Sequence, residues 1–255
     1  MTQTRHLSMA IEAAKAAEGI ILGYYKGDIE IELKSDETPV TVADVEAERT
    51  IKAVLGQAFP DHGFYGEETG FDNPEADYTW LIDPIDGTKS FVRRNPFFST
   101  QIALMHHDQL VLGVSNGPLM GELAYAERGH GAWLNGMQVA TSGVTTIVAS
   151  DLSFGNIASL AEAERWQRIG QLLQQVNRIR GYGDFYHYHL LASGRLEAVV
   201  ESDVNILDIA ALSVIIEEAG GMVTDLEGQP LNLATTSVLA ASTPDLHQHL
   251  RTALG

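Results

Sequence analysis

The sequence predicts a mixed α/β fold in which sheets and helices are layered, with two lobes meeting near residue 145. Three observations lead there. The N-terminal quarter carries apolar residues at helical spacing. From Tyr78 to Val139 the chain reads as apolar runs and alternating segments joined by tight turns. Beyond residue 150 helices and strands alternate.

Taken in order, Leu7, Ile11, Ala14, Ala17, Ile21 and Tyr24 fall on one helical face. Glu12, Lys15 and Glu18 interrupt that apolar stretch, which excludes a secretory signal. A second helix is expected over Val42–Ala58, with Ala43, Ala47, Ile51, Val54 and Ala58 inward and Thr41 placed to cap it. Tyr78–Asp83 reads as a buried strand. Ser99–Val114 alternates around His106-His107-Asp108-Gln109, as a hairpin does. Leu123–Val139 adds strands about an Asn135-Gly136 turn. Leu160, Ala163, Trp166, Ile169, Leu173 and Val176 suggest one helix. Val176–Arg180 suggests a strand, His187–Ser193 a helix, and Leu196–Ser202 a further strand. A helix from Asp208 to Ala219 stops at Gly220-Gly221. Ser237–Ser242 is a last strand, and Thr243-Pro244 opens the last helix. Trp133 and Trp166 are expected in the core.

Composition narrows the function. The chain has 255 residues, 34 Asp and Glu against 16 Lys and Arg, and a formal charge of −18. Such a balance argues against a nucleic-acid backbone or an anionic membrane as the main partner. No stretch approaches the ~20 apolar residues of a membrane span, and a cytoplasmic protein is expected. With no cysteine, disulfides, thiolate zinc sites and a cysteine nucleophile are excluded. Sixteen of the acids lie between Asp28 and Asp86, where only Lys34, Arg49 and Lys52 offset them. That is either a solvated acidic face or a site for a hard cation, which binds carboxylate oxygens.

Spacing favours the second reading. In Trp80–Phe91 (WLIDPIDGTKSF) a strand ends at Asp83, Pro84 stops its pairing, and Asp86-Gly87-Thr88 begins a turn that opens a short helix. Asp83 and Asp86 flank the bend and can point at one cation, with the Ile85 carbonyl between them. The Gly87 and Thr88 amides can face the same space and hold a phosphate. Alone, this could be a plain Asx-turn. Glu67 and Glu68 stand in a Gly-flanked loop and repel each other unless solvated or bridged by a cation. Asp208 alone reads first as a helix N-cap, and Thr41-x-x-Asp44 as a capping box. His187 and His189 are two apart and do not share a helical face, so neither is expected to bind metal.

The combination resembles the inositol monophosphatase family of magnesium-dependent phosphatases. It is carried by Leu33–Asp44 (LKSDETPVTVAD), Phe59–Gly70 (FPDHGFYGEETG), the DPIDGT run, Gly121–Gly136, Leu190–Leu212 and Glu217–Asp225 (EEAGGMVTD). The resemblance spans nearly the whole chain and implies an α/β/α/β/α layered sandwich. It makes Glu67, Asp83, Asp86, Asp208 and the Ile85 carbonyl the ligands of two or three Mg²⁺. Glu67 and Asp83 share the first metal with that carbonyl; Asp83, Asp86 and Asp208 hold the second. Thr88, backed by Asp44, and Glu68 position the attacking water, and the Gly87 and Thr88 amides meet the phosphate. A homodimer acting on a small phosphate monoester is implied. A haloacid-dehalogenase phosphatase would need one residue between its aspartates, where this chain has two. Neither GYGDFY nor GHGAWL has the third glycine of a dinucleotide fingerprint.

Within the family, GYGDFY with Leu190–Ser202 and Leu207–Gly221 looks most like the histidinol-phosphate phosphatase branch. Asp184 and Glu201 would then meet the ammonium end of the substrate, although Asp184 also reads as a helix N-cap. Gly121–Gly136 is closer to the inositol-1-monophosphatase pattern, and Glu201 would suit a polyol hydroxyl. Leu207 departs from the family, where an aromatic usually precedes the metal-binding Asp. Arg93 and Arg94 could meet a phosphate or a neighbouring subunit, or lie in a solvated loop. A third reading is a phosphatase-like member that acts by binding proteins.

Overall fold

The computed structural model describes residues 3–27, 31–33, 39–162 and 165–255. The cap expected from the Thr41 side chain and the helical contact expected of Ala163 fall outside the described residues. In chain order the elements are α1 (Arg5–Lys26), β1 (Ile31–Leu33), β2 (Pro39–Thr41), α2 (Val42–Ala58), β3 (Gly63–Gly66), β4 (Gly70–Asp72), β5 (Tyr78–Asp86) and α3 (Thr88–Val92). There follow β6 (Ser99–His106), β7 (Gln109–Gly117), β8 (Glu122–Glu127), β9 (Ala132–Leu134), β10 (Met137–Val139) and β11 (Asp151–Gly155). The chain ends with α4 (Ile157–Glu162), α5 (Trp166–Leu173), β12 (Arg178–Arg180), α6 (Asp184–Ala192), β13 (Ala198–Ser202), α7 (Ile206–Glu218), β14 (Met222–Thr224), β15 (Ser237–Ala241) and α8 (Pro244–Leu254).

Two main sheets result. One has the order β10-β9-β8-β7-β6-β5-β3-β4, and the other β12-β11-β13-β15-β14. In the first, only β3 and β5 run parallel; the hairpins expected from alternation account for most of the rest. In the second, β12, β11 and β13 are mutually parallel, as helical crossovers require, and β15 and β14 antiparallel.

Side-chain alternation assigns each sheet face to a core. On β5, Trp80 and Ile82 pack under α1 and α2, while Leu81 faces the other way. On β13, Val199 joins Leu81 in the central core, while Ala198 and Val200 join the outer one with Leu246 and Leu250 of α8. Between the sheets lies α7, apolar on nearly all sides, as a helix covered from both faces must be. The layers therefore run α1–α2, first sheet, α6–α7, second sheet, α4–α5–α8: the expected α/β/α/β/α sandwich. The close approach of α7 to β7 requires Gly113, because a Cβ there would strike the Ala211 carbonyl.

Some expectations are corrected. The stripe from Leu160 to Val176 is carried by two helices, α4 and α5, and Val176 lies beyond the second. Trp166 is 38% exposed rather than core, because it opens α5 on the outer layer; Trp133 packs against the core as expected. Strands β3, β4 and β14 are additional to those read from alternation, being only three or four residues long.

Candidate active site

β5 delivers two acids to one face by means of a bulge. Its register with β6 pairs Asp83 with Gln101 and then Asp86 with Ser99. Pro84 and Ile85 together stand opposite Thr100, whose hydroxyl donates to the Pro84 carbonyl at 2.9 Å. In a regular strand, residues three apart face opposite ways. The extra residue reverses that parity, and Asp83 and Asp86 come to the face on which α7 packs. Gly87, at φ 84°, turns the chain in the left-handed conformation glycine adopts freely and opens α3.

The third acid arrives on α7. Asp208 is not the N-cap; Asn205 is, accepting from the Leu207 amide at 2.7 Å. Asp208 completes a capping box, accepting from the Asn205 N–H at 2.9 Å and from its Nδ2 at 2.7 Å. Carboxylate oxygens of Asp83, Asp86 and Asp208 lie within 4.8 Å of one another. Burial, then Glu67, Asp86 and Asp208, push the Asp83 carboxyl well above its ordinary range. Burial, then Asp208, Asp184 and Glu201, do the same to Asp86. Burial raises Asp208 to about 6 against its Asn205 bonds and a hydrogen bond with Asp83. Asp83 Oδ1 is buried without a hydrogen bond among the described residues. Three converging acids and an unsatisfied oxygen fit a hard divalent cation.

The remaining expected residues surround this centre. The Glu67 amide donates to the Ile82 carbonyl at 3.1 Å, continuing the β3–β5 pairing and holding the start of the Glu67–Glu68 loop beside the residue that precedes Asp83. Glu67 is exposed and stands outside the three-acid group, yet it is the first charge acting on Asp83. Asp44 is buried in the first turn of α2 and also acts on Asp83. The Thr88 hydroxyl donates to the Ile85 carbonyl at 3.1 Å.

Asp184 and Glu201 line one cleft with Asp86 and Asp208, walled by Val204, Ile209 and Leu212. Asp184 is not an N-cap; Gly183 occupies that position, and Asp184 is the first residue of α6 at φ 46°. Burial and then Glu201 raise its carboxyl to about 6. The cleft adds Asn156 and Tyr188, which the sequence did not single out. A larger cavity of about 560 Å³ lies against α1, beside Lys15, Glu18 and Asn116, away from these acids.

Glu48 was also missed. It is fully buried one turn after Asp44, accepts from the Glu68 amide at 2.8 Å, and pairs with Lys52 at 3.1 Å. Its signal was an acid on the buried stripe of α2, beside Ala47 and Ile51. Arg94 lies 5.2 Å over the Tyr25 ring and donates to the Gly27 carbonyl.

Comparison with known proteins identifies the family and agrees with the fold. The sequence model of the inositol monophosphatase family matches residues 2–255. The chain is 38% identical over 227 residues to a histidinol-phosphatase of Chlorobaculum parvum, covering 89% of this chain and 88% of that one. It is 31% identical over 250 residues to an inositol-1-monophosphatase of Caulobacter vibrioides, covering 94% and 97%. The solved inositol monophosphatase of Zymomonas mobilis superposes with a TM-score of 0.86 at 30% identity, over 99% of each chain.

Proposed function

As the chain belongs to the inositol monophosphatase family of phosphatases, we propose that it hydrolyses histidinol phosphate to histidinol with Mg²⁺ at Glu67, Asp83, the Ile85 carbonyl, Asp86 and Asp208. The observation that carries the choice of ester is the Asp184–Glu201 pair, two carboxylates in the cleft shared with Asp86 and Asp208. Burial and mutual repulsion make such a pair receptive to a cationic group, which an amino alcohol phosphate has and a polyol phosphate lacks. The likeness to a histidinol-phosphatase supports the same choice.

Bound divalent metal would neutralise phosphate charge and acidify a water, as two-metal phosphatase sites do. The protein's own groups set the stage. Ser99 donates to Asp86 Oδ2 at 3.2 Å, and Asn205 holds both oxygens of Asp208, so the acids are oriented before a ligand arrives. Thr88 gives its hydrogen to Ile85, which leaves its oxygen lone pairs to accept from the attacking water. Asp44 and Glu68 flank that water in this reading, and the Gly87 and Thr88 amides meet the phosphate. Water attacks phosphorus as the ester P–O bond breaks; the proton the water gives up, by way of solvent, balances the one the departing alkoxide takes. The two sheets act as lobes of one catalytic unit, 1–145 and 146–255. A homodimer in the cytoplasm completes the reading, resting on the family; light scattering tests the dimer.

The second reading is hydrolysis of myo-inositol 1-phosphate, supported by the Caulobacter relative and by the fit of Glu201 to a hydroxyl. A panel of histidinol phosphate, myo-inositol 1-phosphate, fructose 1,6-bisphosphate and 3′-phosphoadenosine 5′-phosphate, with and without Mg²⁺, decides. Preference for the first is expected. Preference for the second replaces it, and preference for either of the last two overturns both. No hydrolysis of any would leave a protein-binding role.

A further inference from the structure

We infer that His187 is a positioning residue for substrate selection: a one-way hydrogen-bond chain from the Tyr182 backbone through Ser153 and His187 orients Glu201 in the cleft. This deepens the reading above and rests on it in setting Glu201 against the non-phosphate end of the ester. The direction of the chain is assigned by satisfying each buried donor. The Tyr182 N–H can only donate, and it gives to Ser153 Oγ at 3.1 Å. Ser153 is fully buried on β11, and among the described residues its other hydrogen-bond partner is His187 Nδ1, at 3.1 Å. The buried serine O–H has no other acceptor among the described residues, so its hydrogen is assigned to Nδ1, which is then bare. The imidazole proton then sits on Nε2, 3.2 Å from Glu201 Oε2.

Tyr188 donates to that same Oε2 at 2.6 Å. One oxygen of Glu201 thus takes two bonds from α6 and is turned into the protein. The other, Oε1, rests against Gly155, at the end of the strand next to β13, where a side chain would displace it. Glu201, which lines the cleft with Asp184 and Asp86, is thereby held in one orientation as an acceptor, suited to a substrate donor such as an ammonium or a ring N–H. His189, two residues on, is committed elsewhere, to Ser115 at 2.8 Å and Glu122 at 3.0 Å. The two buried histidines of α6 therefore have separate duties.

The test uses full-length, Mg²⁺-loaded protein. Two-bond ¹H–¹⁵N spectra of His187 are expected to show a protonated Nε2 and a bare Nδ1. A proton on Nδ1, or on both nitrogens, overturns the chain. His187→Gln keeps a donor where Nε2 stood, and His187→Leu does not. The ratio of kcat/KM for histidinol phosphate to that for p-nitrophenyl phosphate, which offers Glu201 no donor, is expected to fall about tenfold in His187→Leu, the order of one hydrogen bond to a charged group. The fall should reside in KM and be largely restored in His187→Gln. An unchanged ratio in His187→Leu, or an equal loss in both variants, overturns the positioning role. If the panel favours myo-inositol 1-phosphate, the choice of ester fails, while the tautomer and the same ratio measured with that ester still test His187.

Discussion

The Glu48 carboxylate accepts the backbone N–H of Glu68 at 2.8 Å, so a buried acid on α2 holds the loop that carries Glu67. The same carboxylate accepts from the Thr69 hydroxyl and pairs with Lys52. A partner outside a metal site that is lost usually weakens metal binding by about 10–100-fold. Glu48→Ala is expected to raise the Mg²⁺ concentration for half-maximal activity by that order. A titration of phosphatase activity against Mg²⁺ reads it, and an unchanged midpoint would sink the link between Glu48 and the metal loop.

Asp83→Asn should separate stability from activity. The native carboxyl is buried among Glu67, Asp86 and Asp208, which is unfavourable without a cation. The amide is isosteric and neutral. Metal-free Asp83→Asn protein is expected to melt higher than metal-free wild type, by roughly 2–4 °C for about 1 kcal/mol. Its hydrolysis of the preferred ester should fall by at least ~100-fold. Differential scanning calorimetry in chelator, alongside the assay, checks both halves.

Asp184 carries a pH signature. Its folded pKa is about 6, raised first by burial and then by Glu201. A carboxyl that binds its proton more tightly when folded stabilises the protein below the unfolded pKa of about 4. That stabilisation is lost as pH rises through about 6. The stability of wild type relative to Asp184→Asn should therefore fall between about pH 4 and pH 7. Half-buried His6 and His62 and buried His189 and His247 are lowered mainly by desolvation and act in the opposite sense, so the comparison must be with the variant. Denaturant melts of metal-free protein across that range measure it; parallel curves would contradict the placement of Asp184.

Two glycine substitutions should have different consequences. In Gly113→Ala the new methyl strikes the Ala211 backbone of α7, in the middle layer. Backbone cannot swing aside, and a loss of about 1–3 kcal/mol of stability is expected. In Gly155→Ala the methyl strikes the Glu201 carboxylate instead. There the expected effect is a raised KM for the preferred ester with a smaller change in melting temperature. Urea denaturation and steady-state kinetics on both variants separate the outcomes.

Much of the fold was legible along the chain, because burial imposes a local period. The face of α1 repeats at helical spacing, and the β6–β7 hairpin and the Asn135-Gly136 turn follow alternation and turn chemistry. Short pieces such as β3 and β14 have too few residues to show a period. The layer order came from the family resemblance rather than from periodicity, which says that a face is buried but not against what.

The sequence by itself determined that Asp83 and Asp86 flank a bend and that the family's acids are present. Only the tertiary structure decided that the two share a face, because that depends on the extra residue of β5 opposite Thr100. It likewise decided that Asp208 reaches them from α7, since segments far apart in sequence leave no local signal of their convergence. The setting of Glu201 by His187 and Tyr188 belongs to the same class. A hydrogen bond between side chains is a fact of packing, and no local pattern encodes which acid a buried histidine will meet.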